Sequence, residues 1–201
     1  KNGIPVILRY DPVEPFFNDD EAMMERVFSR AYEYGANHVI FSISDKNSRY
    51  WDVFERNLRN HDKGSLIKEI KAIYTDKQAG ELHANLDYRL SVIKKAKKIA
   101  TDIGMTFALC MEFEKDRETK RYIDLNQEFK TSNNCEGIDT PLFRKDSKGG
   151  WKPIENCDGN CLYGDCNVSC GISELKACRS INLRDWKNFS EKFFRKIDME
   201  K

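Results

Sequence analysis

A glycine, a short polar step and a burst of apolar β-formers recur three times in this chain. The pattern appears as Gly3-Ile4-Pro5-Val6-Ile7-Leu8-Arg9-Tyr10, as Gly35-Ala36-Asn37-His38-Val39-Ile40-Phe41-Ser42, and as Gly104-Met105-Thr106-Phe107-Ala108-Leu109-Cys110. A long amphipathic pattern precedes the second and third glycines. Glycine just past a helix enters the left-handed region without a Cβ penalty, so it is a natural stop. The chain therefore reads as helix–Gly–strand units, the first entered partway. Beginning on Lys1 rather than Met, it is expected to be a domain cut from something longer. Alternating strands and helices imply a parallel sheet with right-handed crossovers. Three strands are too few for a full barrel, so the fold class is α/β, part of a (β/α) barrel or of a small open sheet.

The 201 residues suffice for a real core. Net charge is +1, from 34 basic and 33 acidic residues, which gives no bulk argument for nucleic-acid or membrane binding. No apolar run approaches the roughly 18 residues that span a bilayer, so no membrane partner is expected and a cytoplasmic location is.

Along the chain, Val6 to Tyr10 is a near-continuous apolar run, the pattern of a parallel strand buried on both faces. Asn18-Asp19-Asp20-Glu21 reads as a helix start, and Met23, Met24, Val27, Ala31 and Tyr34 keep helical spacing up to Gly35. Val39 to Ile43 is the second strand and Thr106 to Met111 the third. Residues 87–103 form the clearest helix, with Leu90, Ile93, Ala96, Ala100 and Ile103 as its buried stripe. Lys94, Lys95, Lys97 and Lys98 read as its solvated face rather than a nucleic-acid patch. Residues 45–85 are a helical insertion of two short helices, leaving from the strand edge where α/β folds place their sites. Residues 1–113 thus form one unit. Residues 114–201 are a more polar, irregular Cys-rich extension ending in a helix that carries Leu183, Trp186, Phe189, Phe193, Phe194 and Ile197.

Three constellations could carry chemistry. Arg9 closes a strand and Asp11 opens the loop beyond it, with Pro12 and Pro15 stiffening that loop. Arg9 either holds a carboxylate or phosphate or forms an ion pair with Asp11 that ties the loop down. Cys110 and Glu112 end the third strand, on the same face as Arg9 if the strands are parallel. Cys110 is a small core residue, or a reactive thiol or hydrogen-atom donor at the site mouth. Glu112 is a solvated loop acid or a general base. Last, Cys157, Cys161, Cys166 and Cys170 crowd into 14 glycine-containing residues. Their spacing is not the paired C-x2-C of a zinc ribbon, and iron–sulfur loops use irregular spacings. They are expected to bind a metal or an Fe–S cluster, with disulfides or free thiols as the alternative; Cys178 or Cys135 could add or replace a ligand. The three histidines show no spacing to one another that suggests a His-based metal site. No Ser nucleophile elbow, P-loop or dinucleotide glycine fingerprint is present.

The stretch Gly3 to Val13, with Pro15 and the Asn18-Asp19-Asp20 helix start, resembles the fifth strand and following helix of radical S-adenosylmethionine (SAM) enzymes of the spore photoproduct lyase-like group. Tyr88 to Ala100 and Gly104 to Glu112 resemble the later helix and strand of the same group. The likeness covers roughly residues 1–113. It implies the C-terminal part of a partial (β/α) barrel belonging to a lyase or oxidoreductase-like enzyme with a [4Fe–4S] cluster and SAM as cofactors. Arg9 and Asp11 would line the SAM or substrate side, and Cys110 would face the cavity. Arg9, Asp11, Cys110 and Glu112 are thus the candidate catalytic residues. The family's C-x3-C-x2-C cluster motif is absent here: Cys157-x3-Cys161 begins like one, but the next gap is four. The main cluster is therefore expected from an N-terminal remainder of the same protein, and Cys157, Cys161, Cys166 and Cys170 are read as an auxiliary cluster. A binding module built on structural zinc is the alternative. The substrate is unknown; family analogy points to nucleic acid.

Overall fold

The computed structural model describes residues 5–78, 80–116, 118, 122–138, 143–145 and 147–156. Cys157, Cys161, Cys166, Cys170, Cys178 and the expected terminal helix lie outside the described residues. Strand β1 (Val6–Val13) leads to helix α1 (Glu21–Glu33), which returns to strand β2 (Ala36–Ile43). An insertion follows: helix α2 (Ser48–Asn60), a 3-10 turn (Gly64–Leu66), helix α3 (Ile67–Ile73) and a hairpin of β3 (Asp76–Gln78) and β4 (Glu81–His83). Helix α4 (Leu86–Ile103) and strand β5 (Thr106–Leu109) come next. A hairpin of β6 (Phe113–Lys115) and β7 (Tyr122–Asp124), the one-turn helix α5 (Asn126–Phe129) and a hairpin of β8 (Phe143–Lys145) and β9 (Trp151–Pro153) complete the order.

Local chemistry sets these boundaries. Asp20, Asn47 and Asn85 each accept a backbone N–H three residues on, at 2.8–2.9 Å, and so start α1, α2 and α4. Gly35 and Gly104 both sit at φ +95°, where the chain leaves a helix for a strand. The lysines of α4 divide as the sequence suggests: Lys94, Lys95 and Lys98 are exposed, Lys97 half-buried.

The principal sheet is β1-β2-β5, parallel throughout. Its two faces differ in chemistry. Val39, Phe41, Ile43, Phe107 and Leu109 join Met24 and Phe28 of α1 and Ile93 and Ala96 of α4 in the core. Tyr10 meets Phe28 edge-on at 5.3 Å and stacks on Phe41 at 6.0 Å. Side chains alternate across a sheet. The register that aligns Arg9, Ile40 and Ala108 therefore puts Arg9, Asp11, His38, Ser42, Thr106 and Cys110 on the face away from the helices.

The outer edge of β5 is closed without another strand. Asn126 accepts from Leu109 N and donates to Leu109 O, both at 2.7 Å. Thr131 does the same for Phe107 with its hydroxyl and its backbone N–H, both at 2.8 Å. Strand β1, by contrast, is an edge, and only Val13 in it is buried. The expectation of a first strand buried on both faces is thus corrected. Its apolar run is real, but among the described residues a neighbour lies on one side only.

The segment after α5 folds back over the polar face. His38 is fully buried, with Nδ1 2.8 Å from Thr106 Oγ1 and Nε2 3.0 Å from Cys135 O. Burial pushes the imidazole below its ordinary value, so Nε2–H donates to the carbonyl from a neutral ring. Gly137 lies at φ +71°, and a Cβ there would stand within 2.5 Å of three His38 ring atoms, a hard clash. Gly137→Ala should cost about 2–4 kcal/mol, combining overpacking with left-handed strain. A urea denaturation series checks this, and a loss under about 1 kcal/mol would show that the segment does not dock on His38.

Candidate functional site

The C-terminal ends of β1, β2 and β5 gather the polar residues of the open face. Arg9 Nε donates to Asp11 Oδ2 at 3.0 Å, and Arg9 Nη2 lies 3.0 Å from Cys110 Sγ. Ser42 Oγ donates to the other Asp11 oxygen at 3.0 Å. Asp11 thus gives one carboxylate oxygen to Arg9 and the other to Ser42, linking Arg9 to β2. The Arg9–Asp11 ion pair expected from the sequence is present, and it leaves the guanidinium accessible: the Arg9 side chain is 48% exposed and that of Asp11 19%. Guanidinium carries five donors, so N–H groups remain for an incoming anion.

The charges around Cys110 decide its form. Burial pushes the thiol up, and Arg9 only partly offsets this. A half-buried thiol kept protonated suits a hydrogen donor better than a thiolate nucleophile or metal ligand. Burial disfavours the Arg9 cation, but Cys110 and Asp11 outweigh it and hold Arg9 above its ordinary value.

Glu112 does not join this group. It is 4% exposed, its Oε1 accepts from Ile43 N at 2.7 Å, and its Oε2 accepts from Arg89 Nη1 at 3.1 Å. The solvated loop acid expected at this position is therefore corrected: the turn at Met111, with φ +57°, carries Glu112 beneath the sheet edge. Arg89, also buried, donates to Ala84 O at 2.9 Å and Phe113 O at 2.8 Å. Burial raises the Glu112 carboxyl to about 7, against the opposing pull of Arg89 and the Ile43 N–H.

Three contributors escaped the sequence reading. Ser42 lies two residues past Ile40 on the same strand face, and that alternation was the available signal. Lys46, fully buried, donates from Nζ to both Glu14 oxygens at 2.7 and 2.6 Å and to Ser44 Oγ at 2.8 Å. Its ammonium also lies 4.4–5.0 Å from the ring centroids of Tyr50, Phe54 and Tyr74. The insertion is thereby fastened to the loops that end β1 and β2. Arg89 is the third, and its signal was a charged residue in register with the apolar stripe of α4.

Cys135 is the other described cysteine; like Cys110 it is free and half-buried. Among the described residues no cysteine cluster appears. No described helix is long and apolar enough to cross a membrane.

No family model matches the chain, and no solved structure does. A curated protein, the radical SAM Nα-GlyT isomerase of Pseudomonas phage M6, is 25% identical over 203 residues. The alignment covers 95% of this chain and 42% of that protein, so the chain spans under half the length of its relative. This similarity supports the resemblance to the radical SAM superfamily.

Proposed function

We propose that the chain forms the SAM- or substrate-facing C-terminal part of a radical SAM enzyme, with Arg9 as its anion clamp. The observation that carries this reading is the Arg9–Asp11–Ser42–Cys110 network at the C-terminal ends of three parallel strands, on the face that no described helix covers. That edge is where α/β folds hold ligands.

The described residues suit one cofactor and not the other. A guanidinium held by Asp11, with donors to spare, matches the carboxylate of SAM or an anionic group on a substrate. A [4Fe–4S] cluster needs several converging thiolates, and the described residues offer only Cys110 and Cys135. Cys157, Cys161, Cys166 and Cys170, outside the described residues, remain our candidates for an auxiliary cluster. When bound and reduced, SAM supplies the radical that starts chemistry in such enzymes. Arg9 orients the anion, Asp11 and Ser42 fix Arg9, and Cys110 stands beside it as a protonated thiol. The open face reads as the lining of a partial (β/α) barrel. The relative's name is that of an isomerase acting on Nα-GlyT; we take an isomerase of that class as the working assignment.

The test uses the longest natural reading frame that contains this chain, purified and reconstituted without oxygen. Iron and sulfide incorporation, with 5′-deoxyadenosine formed from SAM, is the expected result. Arg9→Ala should weaken SAM or substrate binding about 10- to 100-fold, the value of one or two charge-assisted hydrogen bonds, with partial rescue by Arg9→Lys. Stoichiometric zinc with no iron or sulfide would sink the assignment.

A further inference from the structure

A second cluster stands on the insertion, independent of the assignment above. Lys46 and Leu82 exchange two backbone hydrogen bonds, at 2.9 and 2.8 Å, as an isolated antiparallel bridge. In such a pair the flanking residues Asp45 and His83 face each other, on the side opposite Lys46 and Leu82. Glu81 precedes His83 by two positions on β4 and shares its face. The ligand atoms of Asp45, Glu81 and His83 all lie within 4.8 Å of one another. His83 Nδ1 is already 3.1 Å from Asp45 Oδ1.

The charge at this spot is unbalanced. Among the described residues, no lysine or arginine forms an ion pair with Asp45 or Glu81. Lys46, the adjacent cation, turns to the other face and makes its ion pair with Glu14. The cluster is not an idle patch of surface acids either, because His83 is only 15% exposed and a backbone bridge fixes the two segments that supply it. One imidazole and two carboxylates form a mixed nitrogen–oxygen donor set, the kind that first-row transition metals take and that magnesium and calcium use less. Metal–ligand bonds of about 2.0–2.2 Å allow opposite ligands about 4 Å apart, so modest side-chain adjustment closes the set.

We propose that Asp45, Glu81 and His83 form a binding site for one divalent transition-metal cation. The cation ties the insertion hairpin to the residue just beyond β2. With Asp45 partly exposed, coordination positions remain on the solvent side for water or an anionic ligand.

Manganese(II) is the probe, since thiolates compete for it poorly and the cysteine-rich segment is part of the chain. The full 201-residue chain is titrated without cluster reconstitution, and free Mn2+ is read by electron paramagnetic resonance. The expected result is one saturable site per chain. Asp45→Asn, Glu81→Gln and His83→Ala should each weaken it about 10-fold or more, while Glu69→Gln on α3 leaves it unchanged. Mn2+ should also raise the melting temperature of the parent and not of the variants. Asp45→Asn and Glu81→Gln conserve shape, and melting without metal confirms that they fold. Absence of a saturable site, or a site that survives the Asp45→Asn/Glu81→Gln double variant, overturns the proposal. Because no cluster or SAM is involved, failure here is distinguishable from failure of the radical SAM assignment.

Discussion

Lys46→Met should destabilise the chain by about 3–5 kcal/mol, the usual cost of removing one partner of a buried ion pair. Methionine nearly matches lysine in length and suits the ring-lined pocket of Tyr50, Phe54 and Tyr74, so packing alone changes little. What changes is Glu14, whose side chain is 15% exposed and has both oxygens on the Lys46 ammonium. Left alone, that carboxylate loses its partner and can regain solvation only by pulling its loop open to water. Since Glu14 follows the Asp11-Pro12-Val13 end of β1, the loosened loop reaches the Arg9 site. Adding Glu14→Gln to Lys46→Met should recover much of the loss, because neither charge then remains unpaired. Urea denaturation of the four proteins in the cycle measures this. A Lys46→Met loss below about 1 kcal/mol would mean that the ammonium is not the link between insertion and sheet.

The second large effect lies in the Arg89–Glu112 pair and depends on pH. Burial raises the Glu112 carboxyl in the fold from the ordinary 4.5 to about 7. The protonated form is thus favoured by the folded chain. Its contribution is fully present below the unfolded value near 4.5 and is lost as pH rises through about 7. The loss amounts to about 3 kcal/mol across that window, at roughly 1.4 kcal/mol per pH unit. Stability of Glu112→Gln should be nearly flat over the same range, which denaturant midpoints at several pH values will show. Arg89→Met removes a cause that lowers the Glu112 value, so the decline should extend to higher pH. It also strips the Ala84 and Phe113 carbonyls of a donor, for a total cost of about 3–5 kcal/mol. A parent chain whose stability rises between pH 5 and 7.5 would contradict this account.

What the sequence revealed and what it hid have physical causes. The strand–helix units were legible because long periodic runs end at Gly35 and Gly104, where a left-handed residue is required. The meeting of Arg9 with Cys110 was legible too, since parallel strands present their C-terminal residues at one edge. The β3–β4 hairpin was not legible. Asp76–Gln78 and Glu81–His83 are three residues each and polar, too short for alternation to declare itself. Glu112 misled, and Lys46 went unread, for a different reason. Charged residues are ordinarily solvated, and only the partners brought by the tertiary fold, Arg89 and Glu14, make their burial tolerable. The His83 cluster was missed because its acids come from separate segments, joined by a backbone bridge that leaves no periodic trace.

The stitching of β5 by Asn126 and Thr131 has a consequence for assembly. An open sheet edge is a template on which another chain can add a strand, and repeated addition makes fibres. Here the Phe107 and Leu109 backbone groups on one edge are already occupied, so among the described residues strand addition has only the β1 edge left in the principal sheet. Such a sheet can terminate an array but cannot propagate one. On the barrel reading proposed above, strands from the N-terminal remainder of the protein would take that edge. Asn126 and Thr131 thus act as a guard against runaway polymerisation, leaving β1, among the described strands, as the principal sheet's one unpaired edge.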